Sequence, residues 1–82
     1  MNVTVPVKAT ERLVVSHAAY GNGQRCVGGG CPAVFTTDQK TFFVVGRRLS
    51  AAEKAGLPMD GIEDALEVPR ELLLELAAKL RS

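Results

Sequence analysis

Three residues carry the types and spacing that suggest chemistry: His17, Cys26 and Cys31, in a chain of 82 residues with no other histidine or cysteine. Thiolate sulfur and imidazole nitrogen are the preferred ligands of zinc, and a structural zinc site takes four of them, commonly as two close pairs. Only three are present, so an Asp, a Glu, water or a second chain would have to complete the shell. Four residues separate the cysteines, which matches neither the metal-binding nor the redox C-x-x-C pattern. A cysteine nucleophile would use His17 as its base, but it also needs a third group to orient the base and a rigid platform. The sequence shows no such signature. Residues 21–31, Gly-Asn-Gly-Gln-Arg-Cys-Val-Gly-Gly-Gly-Cys, hold five of the eight glycines and read as a loop. A metal loop with zinc, a regulatory disulfide and two ordinary thiols are the three readings, and the spacing favours the last.

The basic residues are the second set. Arg47 and Arg48 end a strand-like run, and with Arg25 and Lys40 they can form a patch for nucleic acid or a protein partner. Nucleic-acid binding usually adds exposed aromatics or a recognition helix. Here 5% of residues are aromatic, with Tyr20 the one candidate for stacking. A nucleic-acid partner is therefore disfavoured. The glycine loop lacks the Gly-Lys-Ser/Thr ending of a phosphate loop, and Gly21-Asn22-Gly23-Gln24-Arg25-Cys26 departs from G-x-G-x-x-G at its last position. The carboxylate pairs Glu63–Asp64 and Glu67–Glu71 read as turn and helix-start residues.

The formal net charge of +1 conceals a division. Residues 1–50 carry six basic and two acidic groups, +4, and residues 51–82 carry four basic and seven acidic groups, −3. Such halves can face each other within one fold, between two copies, or towards a partner.

The elements that must position these residues follow from periodicity. Val3, Val5 and Val7 alternate with polar residues as in a half-buried strand, with Pro6 marking an edge or bulge. Ala9-Thr10-Glu11 then turns the chain, and Arg12–Ser16 returns as a second strand. The alternative is a helix capped by Thr10 with Leu13, Val14, His17 and Ala18 on one face, which the Val14–Val15 pair disfavours. Ala33–Thr37 and Thr41–Val45 form a hairpin around Asp38-Gln39-Lys40. Its second strand is apolar on both faces, which predicts a place in the middle of the sheet, or one face under a helix and the other under loops, and puts the hairpin at the centre of the core. Ser50-Ala51-Ala52-Glu53 fits a capping box and predicts a short helix at 51–55, stopped by a left-handed Gly56. Ala65–Val68 reads as a strand. Pro69 suits a first helical position, and Leu72, Leu73, Leu76, Ala77 and Leu80 make one apolar stripe on a helix running to about Leu80. The order predicts a single α+β domain over residues 1–82: a small antiparallel sheet of about four to five short strands, covered by the C-terminal helix.

No run approaches the roughly 18 apolar residues of a membrane span, and the first residues lack the basic-then-apolar pattern of a secretory signal. The expected compartment is the cytoplasm, where Cys26 and Cys31 stay as thiols.

Cys31-Pro32-Ala33-Val34-Phe35, Thr37-Asp38, Thr41-Phe42 and Val44-Val45-Gly46, followed by Leu66-Glu67-Val68-Pro69-Arg70-Glu71-Leu72, resemble a pattern in short uncharacterised actinobacterial proteins. The likeness spans about residues 26–76. Members of that group often occur near helix-turn-helix regulators, so the resemblance implies a regulatory-accessory role and a protein partner, and it names no active site. The group carries glycine at the hairpin turn where this chain has Lys40. Taken together, the sequence points to a non-enzymatic interaction module, with self-association as one mode. The alternatives are a metal or redox domain at His17, Cys26 and Cys31, and a nucleic-acid accessory acting through its arginines.

Overall fold

The computed structural model describes residues 5–27 and 30–82. In chain order the elements are β1 (Ala9–Val15), β2 (Ala33–Thr37), β3 (Phe42–Val45), β4 (Arg47–Arg48), α1 (Ala51–Lys54), β5 (Leu66–Glu67) and α2 (Arg70–Arg81). β1, β2 and β3 form an antiparallel sheet in that order, and β4 and β5 form a separate antiparallel pair. The α+β class holds, with the strands divided between two sheets.

The β2–β3 hairpin is built by its threonines and its turn. The Thr37 hydroxyl accepts hydrogen bonds from the Gln39 and Thr41 amides. Lys40 takes a left-handed conformation, φ 61°, as the last residue of a three-residue hairpin loop commonly does. Asp38 ties this turn to the chain before β1, donating its amide to the Lys8 carbonyl and accepting the Lys8 amide on its carboxylate.

That tie corrects the reading of the N-terminal segment. One strand, Ala9–Val15, replaces the expected pair. Residues 5–8 are exposed with no regular structure, and Val3 lies outside the described residues. Ala9–Glu11 does not turn back, because it finds partners at the far end of β2: Ala9 faces Thr37, and the Thr10 and Thr36 hydroxyls meet at 2.7 Å. Register shifts between Ala9 and Glu11 and between Arg12 and Val14 each insert one extra residue in β1, the geometry of a β-bulge. The second bulge places Arg12 opposite Phe35 and Val14 opposite Val34, on opposite faces of the sheet.

The core lies under α2. Val14, Val34 and Leu72 are buried together, with Val68 and Leu76 packed against them. The helix covers chiefly β1 and β2. Leu73, Leu74 and Leu80 stay exposed, so only part of the expected apolar stripe is covered. Pro69 is the extended N-cap at ψ 146° and precedes the helix, which starts at Arg70.

The capping box forms as expected: the Ser50 hydroxyl accepts the Glu53 amide while the Glu53 carboxylate accepts the Ser50 amide. α1 ends on Ala55 in a right-handed conformation. Gly56 supplies no left-handed stop, since Gly23 is the one glycine with positive φ among the described residues. At Gly46 the chain passes so close to the Glu67 carbonyl and the Val68 side chain that a Cβ would collide with both.

The largest departure is β3. Phe42, Phe43, Val44 and Val45 are 40–44% exposed, so the strand expected at the core is a free edge. Among the described residues it has no second neighbour, and α2 lies over the other strands.

Candidate functional site

The sheet register brings His17 and Cys31 together. Val15 pairs with Ala33, and the next step of the ladder is a hydrogen bond from the Ser16 amide to the Pro32 carbonyl at 2.9 Å. Ser16 and Pro32 are both buried. One residue further out, His17 and Cys31 face each other, with Nδ1 3.5 Å from Sγ. Cys26 joins them from the glycine loop. That loop is folded back by hydrogen bonds from the Tyr20 amide to the Gln24 carbonyl and from the Gly23 amide to the Tyr20 carbonyl. The Arg25 guanidinium then donates to the His17 carbonyl. One donor atom from each of His17, Cys26 and Cys31 lies within 4.8 Å of the other two.

Cys26 and Cys31 form a disulfide, which corrects the expectation of free thiols. Residues 27–30 form the connection between them. Gly28 and Gly29 of that connection lie outside the described residues. Opened to the dithiol, the cluster presents two sulfurs and one nitrogen. Tetrahedral zinc holds such donors about 3.5–3.8 Å apart, and in the disulfide form His17 Nδ1 stands 3.5 Å from Cys31 Sγ.

Beside the cluster, the sheet face turned away from α2 carries no helix among the described residues. Arg12, Val15, His17, Cys31, Phe35 and Val45 line an open depression of about 330 Å³ on it. Arg12 reaches this face through the second bulge of β1, which a strict two-residue periodicity could not reveal.

The free edge of β3 continues this apolar surface. The Thr37 amide donates to the Thr41 carbonyl at 3.2 Å, so that pair is hydrogen-bonded across the hairpin. Bonded and non-bonded pairs alternate in an antiparallel ladder. Phe43 and Val45, opposite Phe35 and Ala33, therefore aim their main-chain groups at β2. Phe42 and Val44 aim theirs outward.

The four basic residues predicted as a partner site are spread. Arg47 pairs with Glu53 and with Glu67, each at 2.6 Å, and Glu67 also accepts the Gly21 amide at 2.9 Å. Arg25 sits against His17, Lys40 is at the hairpin turn, and Arg48 lies in β4 opposite Leu66. Hydrogen bonds from Arg47 and from the Ser50 amide hold the Glu53 carboxyl at about 2, below its usual 4.5. Arg47 and then the Gly21 amide lower Glu67, and the Ala65 amide followed by Lys54 lowers Asp64. Lys54 and Asp64 meet at 3.1 Å. Two of the charge contacts thus cross the sequence division, joining Arg47 of the basic half to Glu53 and Glu67 of the acidic half. The sequence reading missed Glu53 and Glu67 as anchors of Arg47. The signal for Glu67 was cross-strand pairing of β4 with β5, which needed the partner of β5 to be known.

Among the described residues no helix is long and apolar enough to cross a membrane. No protein-family model, curated protein or solved structure matches the chain.

Proposed function

We propose that this chain is a non-enzymatic interaction module that docks an extended apolar segment of a protein along β3. One observation carries the reading: four consecutive apolar residues stand 40–44% exposed on a strand whose outer edge has no ladder partner among the described residues. Edge strands are normally blunted by charge, proline or a covering element, because an unpaired edge templates strand addition. β3 has none of these within its length. Strand addition gives affinity through main-chain hydrogen bonds and specificity through alternate side chains. The regulatory partner implied by the sequence resemblance and a cytoplasmic location belong to this proposal. A photoreactive phenylalanine analogue at Phe42, irradiated in cells, should give a covalent adduct. The same analogue at Ile62, which is 95% exposed on a loop, should give none. Equal labelling at both positions would overturn the proposal.

A second reading, a redox-gated metal site, is favoured by the convergence of His17, Cys26 and Cys31. An external dithiol would attack one sulfur of the disulfide and break the S–S bond. Its second thiol would then close on the first, leaving two protein thiols and one oxidised dithiol. Two thiolates and the His17 imidazole would bind zinc with an open fourth position, releasing the thiol protons. Cobalt titration after reduction should produce thiolate-to-metal absorption that His17→Ala weakens. No such absorption, or absorption indifferent to His17→Ala, would remove this reading.

A further inference from the structure

Resting on the strand-docking reading, we infer that the segment docked on β3 is β3 of a second copy of this chain. Antiparallel addition across a two-fold axis at Phe43 matches the outward groups without a mismatch. The Phe42 amide donates to the Val44 carbonyl of the second copy, the Val44 amide donates to the Phe42 carbonyl of the second copy, and the symmetry repeats both bonds. Phe43 then faces its own counterpart as a non-hydrogen-bonded pair, the class in which side chains approach most closely.

The side chains agree with this register. Phe42 and Val44 share the α2 side of the sheet, so Phe42 lies beside Val44 of the second copy. Phe43 meets Phe43 on the opposite side. Aromatic–aromatic and aromatic–β-branched pairs are the favourable cross-strand combinations. Charge does not oppose the pairing. Thr41–Gly46 contains no ionisable side chain, and Arg47, which the two-fold brings towards Lys40 of the second copy, is matched by Glu53 and Glu67.

The chain is also more open than a compact domain of its size. The chain exposes 6408 Å², where a compact monomer of its 8.7 kDa exposes about 4,700 Å². Its radius of gyration is 14.4 Å, against about 11.7 Å for a compact domain of this length. That openness is spread over the chain, residues 5–8, Val27 and Ile62 included, and β3 contributes four half-exposed apolar side chains to it. The joined sheet would run β1-β2-β3-β3-β2-β1, placing β3 where its two apolar faces predicted it, in the middle.

Sedimentation of the whole chain across a wide concentration range tests this, with Val44→Pro as the diagnostic variant. Val44 directs its amide outward, so proline there leaves the β2 ladder intact and removes a donor only from the edge. The native chain should show a monomer–dimer equilibrium. Val44→Pro should weaken it at least tenfold while keeping its far-ultraviolet circular dichroism, and Phe43→Asp provides the same loss by a side-chain route. A native chain that stays monomeric throughout would overturn the proposal, as would a dimer indifferent to both variants. The Phe42 photo-adduct separates the two levels. Twice the chain mass supports the second copy. An adduct of another mass overturns the second copy and leaves strand docking standing, and no adduct overturns both.

Discussion

β2 and β3 are adjacent strands of similar composition with opposite fates. Val34 in β2 is fully buried beneath Leu72, while Val44, its cross-strand neighbour on the same face, is 40% exposed. The difference is the position of α2, which sits over β1 and β2. An apolar side chain on a strand reports the need for a neighbour, and where no element among the described residues supplies one, the proposed strand docking would meet that need. β2 has both ladder partners and a helix above it. β3 has one ladder partner and an open edge.

The largest test of this contrast compares the two strands by substitution. Leu72→Ala, which empties the site above Val34, should cost about 2–5 kcal/mol in denaturant unfolding. Val44→Ala, on the same sheet face but outside the helix, should cost less than about 1 kcal/mol at concentrations where the chain is monomeric. Equal costs would show that β3 is already covered within the single chain.

A smaller effect concerns the charged cluster that pins β4 to β5 and α1. Glu53 titrates at about 2 in the folded chain against 4.5 ordinarily, and Glu67 is lowered by the same arginine. A lowered folded value means the unfolded chain takes up the proton first. The stabilisation is therefore fully present above pH 4.5 and is lost as pH falls from 4.5 through about 2. Melting temperature followed over that range should drop, and Arg47→Ala should flatten the drop. An unchanged slope in Arg47→Ala would detach the pH dependence from this cluster.

The smallest effect lies at the hairpin turn that presents β3. Lys40 holds a left-handed backbone, which glycine adopts with less strain. Lys40→Gly should be neutral to stabilising, by no more than about 1 kcal/mol in chemical denaturation. A clear destabilisation would mean that the lysine side chain itself supports the turn.

Local features were legible in the residues and relational ones were not. The Ser50–Glu53 capping box, the Asp38–Lys40 turn and the α2 helix each depend on neighbours a few positions away, and all three form. The N-terminal pairing was misread because bulges at Thr10 and Leu13 break the two-residue period on which strand faces are assigned. The disulfide was misread because compartment, rather than distance, had decided the state of Cys26 and Cys31. The approach of His17 to Cys31 follows from a ladder register that no spacing in the chain reveals. The two apolar faces of β3 predict a covered strand, and among the described residues it lies at the edge. That disagreement between pattern and position supports the proposed interaction surface on β3.

Amide hydrogen exchange at β3 measures the central claim most directly, because its two kinds of main-chain group should behave differently. The Phe43 and Val45 amides, turned to β2, should be protected at every concentration. The Phe42 and Val44 amides, turned outward, should be protected in concentrated solution and lose protection on dilution or in Phe43→Asp. Phe42 and Val44 amides that exchange at unprotected rates at all concentrations would contradict the account.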